Sequence, residues 1–85
     1  MNRKKRIETI LLNNFNDWTF QVSDNSNLHN GHGNFDGTQE SHFCIVIRKP
    51  SNSIETRISI HRKINELLRN EFKIGLHALE IKIIN

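Results

Sequence analysis

Apolar residues recur along this chain at two spacings, and the switches between them mark out its elements. Ile7, Ile10, Leu11 and Phe15 fall at i, i+3, i+4 and i+8. That is one face of an amphipathic helix over residues 5–15. Asn13, Asn14, Asn16 and Asp17 favour its end. Trp18, Phe20 and Val22 then alternate with Thr19, Gln21 and Ser23, the period-two pattern of a half-buried strand. Residues 24–39 follow neither period. They hold three of the four glycines among asparagines and aspartates, which predicts a long loop. Such loops are usually functional or disordered. Period two returns in His42-Phe43-Cys44-Ile45-Val46-Ile47, with Phe43, Ile45 and Ile47 on one side. Pro50 ends this second strand because it has no amide hydrogen for a sheet ladder. Asn52-Ser53-Ile54-Glu55 resembles a capping box, so a short helix or turn starts there. Ile60, Ile64, Leu67, Leu68 and Phe72 then follow at i, i+4, i+7, i+8 and i+12, the longest helix. Gly75 sits where a left-handed helix cap is expected. Leu79, Ile81 and Ile83 alternate with Glu80 and Lys82 as a third strand.

The predicted order is αββααβ. It implies an α+β domain, a three-stranded sheet with helices on one face. Thr19, Gln21, Ser23, Glu80 and Lys82 leave the other face wet. The expected core is Ile7, Leu11, Phe20, Phe43, Ile45, Ile64, Leu68, Leu79 and Ile81.

Length and charge narrow the picture further. Eighty-five residues make a single domain, 1–85, and a chain of this size buries only about 60% of its unfolded surface. No apolar run approaches the roughly 20 residues that span a bilayer, so no membrane contact is expected. The start, Met1-Asn2-Arg3-Lys4-Lys5-Arg6, is basic, but the next residues are too polar for a signal-peptide core. Residues 1–5 are expected to be a flexible, solvated N-terminus. A single cysteine, Cys44, excludes an intrachain disulfide and fits a cytoplasmic, reducing location. Net charge is +3, a mild attraction for phosphates. The free chain is expected to be a monomer.

The candidate chemistry lies in five histidines. No nucleotide-binding glycine motif, zinc-protease motif or nucleophile–base arrangement is present, so an enzyme is not expected. Histidine is the commonest metal ligand. His29 and His32 lie in the glycine-rich loop, where a ligand could swing onto a metal. His42 reads as a polar strand residue and His61 as a hydrogen-bonding residue on the long helix. His77 follows the glycine cap at the start of the third strand. Taken alone it is either a satisfied core residue or a ligand. Cys44 reads as an inert strand residue rather than a thiolate.

Glu40-Ser41-His42-Phe43, the run His61-Arg62-Lys63-Ile64-Asn65-Glu66-Leu67-Leu68, Glu71-Phe72, and Gly75-Leu76-His77-Ala78-Leu79 together resemble the BolA-like family. The resemblance spans roughly residues 5–84. It implies a class II KH-like fold and partnership with monothiol glutaredoxins. In that partnership a [2Fe–2S] cluster is shared with the glutaredoxin cysteine and glutathione, none being held by the isolated chain. The family's C-terminal histidine matches His77. Its second ligand, in the loop between the first two strands, matches His32 best and His29 less well. The resemblance also implies an alternative, a KH-like nucleic-acid-binding regulator of transcription or stress response. DNA would then meet Arg57, Arg62, Lys63, Arg69 and Lys73, because the chain lacks the GxxG loop with which KH domains clamp a nucleic-acid backbone. The same residues read equally as a solvated helix face.

Overall fold

The structure, a computed structural model, describes residues 2–25 and 41–84. Its elements are α1 (Arg3–Asn14), β1 (Thr19–Asp24), β2 (His42–Arg48), α2 (Arg57–Leu67), α3 (Arg69–Lys73) and β3 (Ala78–Ile84). The order is the expected αββααβ. Most of the predicted loop, and with it His29 and His32, lies outside the described residues. None of the described helices is long and apolar enough to cross a membrane.

α1 starts where Asn2 Oδ1 accepts the Lys5 backbone N–H at 2.9 Å, satisfying a helix-end donor. It ends at Phe15, whose ring meets Trp18 edge-on at 4.9 Å. Thr56 caps α2, its Oγ1 accepting the Ser59 N–H at 3.1 Å. The two helices after β2 differ in placement from the expectation. Residues 50–53 form a turn closed by Ser53 N–H to the Pro50 carbonyl at 3.0 Å, with no helix. The long apolar stripe is instead broken at Leu68, whose backbone (φ −98°, ψ 11°) leaves the helical region. The break has a physical reason. A continuous helix would carry Phe72 inward, four residues after Leu68. Here Leu68 is wholly buried, Glu71 turns inward, and Phe72 is left 38% exposed. Glu71 is drawn in by two arginines of α1.

Those arginines correct the expected solvated N-terminal charge run. Arg3 Nε donates to Glu71 Oε1 at 2.9 Å, and Arg6 Nε donates to Oε2 at 2.8 Å. Arg3 Nη2 also donates to the Ile74 carbonyl at 2.8 Å. Arg3 therefore ties α1 to the end of α3 and to the turn that follows. Gly75 has φ +129°, a conformation strained for any side chain, and a Cβ there would approach Arg3 Nη2 to 3.0 Å. Leu76 N–H returns to the Glu71 carbonyl at 2.9 Å, and the chain enters β3.

The sheet order is β1-β2-β3, with β1 antiparallel and β3 parallel to the central β2. Register aligns the apolar sets: Val22 with Ile45 and Phe20 with Ile47, then Phe43, Ile45 and Ile47 with Leu79, Ile81 and Ile83. The side chains of α1 and α2 pack on that face. Six of the expected core residues are buried: Ile7, Leu11, Phe43, Ile45, Ile64 and Leu68. Phe20, Leu79 and Ile81 are half-buried at its margin, because β1 and β3 are edge strands. Phe15, Val22, Ile47, Ile60, Leu76 and Ile83 complete the core. The opposite face departs from the expected wet surface at Cys44, which is buried between its cross-strand neighbours Ser23 and Glu80.

Candidate metal-ligand site

His77 lies one residue before β3, at the end of the sheet where β2 begins. It shares the parity of the apolar set yet is exposed, so it is not a core histidine. Its backbone is held all the same. The Ser41 carbonyl accepts the His77 N–H at 2.7 Å and the Ala78 N–H at 3.1 Å. Gly75 supplies the turn that makes this approach feasible. The result is an exposed side chain on a fixed main chain.

The parallel β2–β3 register brings a second histidine to the same place. His42 opens β2 opposite Ala78. Its ring lies parallel to that of His77, the planes at 10° and the centroids 6.3 Å apart. Ser41 Oγ and His42 Nδ1 are 2.8 Å apart, a hydrogen bond in which the hydroxyl can donate or accept. His42 is thus more than the ordinary polar strand residue expected of its position, because its ring pairs with that of His77. The available signal was Ser41-His42 at a strand start and His77 at another. Only the decision that those strands lie side by side and parallel joins them. His61 is exposed on α2 and is not part of the pair.

Cys44 lies two residues beyond His42 on the same face of β2. Burial first, and then a hydrogen bond to Glu80 and its negative charge, push the thiol up from its ordinary value, with Lys82 acting the other way. It is held in the thiol form, unsuited to ligation as a thiolate. Among the described residues no cluster of three or more His, Cys, Asp or Glu side chains could enclose a metal.

The basic residues considered for nucleic acid do not form one uncommitted face. Arg57 Nη1 donates to the Ile83 carbonyl at 3.0 Å. The Lys63 ammonium sits 4.6 Å over the centre of the Phe15 ring. Arg69 pairs with Glu66 at 3.1 Å, both well exposed. Arg62 and Lys73 are exposed on α2 and α3. A shallow hollow at the opposite end of the sheet, lined by Asp17, Thr19, Arg48, Lys49, Pro50 and Ser51, contains no histidine or cysteine.

The chain resembles known proteins in sequence and in fold. Residues 11–85 match the family described as BolA-like protein. The chain is 37% identical over 83 residues to a Sinorhizobium protein named for its place in the cobS 5′ region, covering 96% of this chain and 89% of that one. It is 46% identical over 44 residues to the UV-induced protein uvi31 of Schizosaccharomyces pombe, covering 52% of this chain and 43% of that one. Among solved structures it resembles BolA1 from Arabidopsis thaliana, with a TM-score of 0.81 at 31% identity, covering 99% of this chain and 92% of that one. It equally resembles the BolA domain of SufE1 from Arabidopsis thaliana, with a TM-score of 0.80 at 32% identity and the same coverage. The helix order and the mixed sheet are those of the class II KH-like fold, and the chain belongs to the BolA-like protein family.

Proposed function

We propose that this chain is the partner of a monothiol glutaredoxin and lends histidine to a shared [2Fe–2S] cluster, in cluster assembly, transfer or regulation. The observation that carries the reading is His77: an exposed imidazole on a backbone held by the Ser41 carbonyl, at the open end of a family-typical sheet. A cluster ligand needs a ring that reaches out of its own domain and a main chain that does not give way when the partner pulls. His77 has both. The glutaredoxin cysteine and glutathione supply the other side, and His32, or His29, supplies the second imidazole from the loop. An imidazole in place of a thiolate lowers the negative charge at the iron and raises the potential of the cluster. The role is one of binding and handing over, not catalysis. It belongs in a reducing compartment, the cytosol, in keeping with a single cysteine held as a thiol.

The test is co-purification with a monothiol glutaredoxin and glutathione, followed by iron and sulfide analysis and a visible absorption spectrum. The wild-type complex is expected to carry cluster. His77→Ala is expected to change the spectrum most, and His32→Ala to loosen the cluster, with His29 able to substitute. His61→Ala should leave the spectrum as it was. A folded His77→Ala chain whose complex keeps the wild-type spectrum and iron content overturns the ligand assignment.

A further inference from the structure

We propose that Ser41 and His42 are positioning residues for the His77 imidazole. The inference rests on the reading of His77 as a ligand and adds what selects the direction of its ring.

Three contacts converge on this corner of the sheet. The Ser41 carbonyl accepts from both His77 and Ala78, which fixes where the His77 Cα–Cβ bond starts. The Ser41 hydroxyl bonds His42 Nδ1 at 2.8 Å, which fixes the rotation of the His42 ring. That ring then lies parallel to the His77 ring at 6.3 Å, inside the roughly 4.5–7 Å range of offset-stacked aromatic pairs. Ser41 is buried and His42 half-buried, whereas His77 is exposed. Order therefore passes outward, from a buried hydroxyl to a restrained ring to an exposed one. An exposed histidine without such a neighbour flips among its staggered rotamers in picoseconds to nanoseconds. The His42 ring occupies one side of His77 and favours the rotamer that lies against it. Ligating histidines are commonly oriented by groups that do not touch the metal, and loss of such groups weakens binding while the ligand itself remains. Ser41-His42 has that relation to His77. The serine hydroxyl serves either tautomer of His42, so the support does not depend on which nitrogen carries the proton.

The first measurement is made on the free, full-length chain. Three-bond NMR couplings about the Cα–Cβ bond of His77 report its rotamer populations. One dominant rotamer is expected in the wild type and averaged couplings in His42→Ala. His42→Phe keeps a flat ring without nitrogen and should restore the single rotamer. Ser41→Ala keeps the carbonyl but not the hydroxyl, and should fall between the two. Dispersed amide spectra establish that each variant is folded. The second measurement is visible circular dichroism of the cluster shared with glutaredoxin. His42→Ala should alter the band pattern and speed cluster loss, and His42→Phe should return both to wild type. The proposal is overturned if His42→Ala has wild-type couplings. It is also overturned if the couplings average while the dichroism stays unchanged and His77→Ala abolishes it. If His77→Ala itself leaves the dichroism unchanged, the ligand reading fails, and the couplings alone still decide whether His42 orders the ring.

Discussion

The clearest test of the buried charge network that joins α1 to α3 is Glu71→Gln. In the native chain the carboxylate lies between Arg3 and Arg6. The Arg3–Glu71 pair has side-chain exposures of 8% and 7%, so it is a buried pair. Removing one partner of a buried pair costs about 3–5 kcal/mol, because the remaining charge is left in a poorly solvated place. The Arg6 side chain is 35% exposed, and water screens much of its share, so the lower end applies to it. We expect a loss of about 3 kcal/mol. A domain of 85 residues has about 4–13 kcal/mol in total, so this loss is a large fraction. It corresponds to a fall in Tm of at least ~12 °C, at about 4–8 °C per kcal/mol for this size. Urea and thermal unfolding read it directly. The pH dependence supplies a second signature. The hydrogen bond from Arg6, and then that from Arg3, hold the Glu71 carboxyl below the usual range despite its burial. Its stabilisation is therefore present above about pH 4.3, the ordinary glutamate value, and is lost as pH falls through the lower folded value. Glu71→Gln should lack that acid-side loss. A triple replacement of Arg3, Arg6 and Glu71 by methionine should recover stability, since it leaves no unpaired charge. A Glu71→Gln loss within about 0.5 kcal/mol, the ordinary surface value, would show that Arg3 is solvated and the network does not hold α3.

Ile64 is wholly buried, and Ile64→Ala should cost about 2–5 kcal/mol in urea unfolding through lost burial and a cavity; a loss near zero would place that face of α2 in solvent. Cys44 should react slowly with a thiol reagent at pH 8 and rapidly in urea, since burial and Glu80 keep it protonated in the folded chain. Fast reaction of the folded chain would refute its buried placement. If the helix surface meets DNA, replacing Arg62 and Lys63 by glutamine should lower the slope of log affinity against log salt by about 0.9 per lost phosphate contact. Lys63 already lies over Phe15, so its replacement should also lower stability by about 0.5–1 kcal/mol. Tight, salt-insensitive binding lost on changing one base pair would contradict the electrostatic reading.

Much of this architecture is a property of local pattern. The 3.6 spacing of Ile7, Leu11 and Phe15 and the period of two in Phe43, Ile45 and Ile47 each need only a few consecutive residues to declare themselves. They indicate one buried face, the element order and the position of His77 beyond a glycine turn. The parts that were not legible depend on residues far apart in the chain. Glu71 sits 68 positions from Arg3, and no window along the sequence contains both. Their attraction decides where the second helical pattern breaks and which of Glu71 and Phe72 turns inward. His42 and His77 come together for a similar reason. Each marks the start of a strand, but strand pairing and direction are set by packing of the whole sheet, not by either segment. Local pattern set most of the elements and their buried faces, but not the break at Leu68, the exposure of Phe72 or the burial of Cys44. Which two imidazoles share a corner follows only from the folded sheet, because it requires the ends of two separate strands to be held in register.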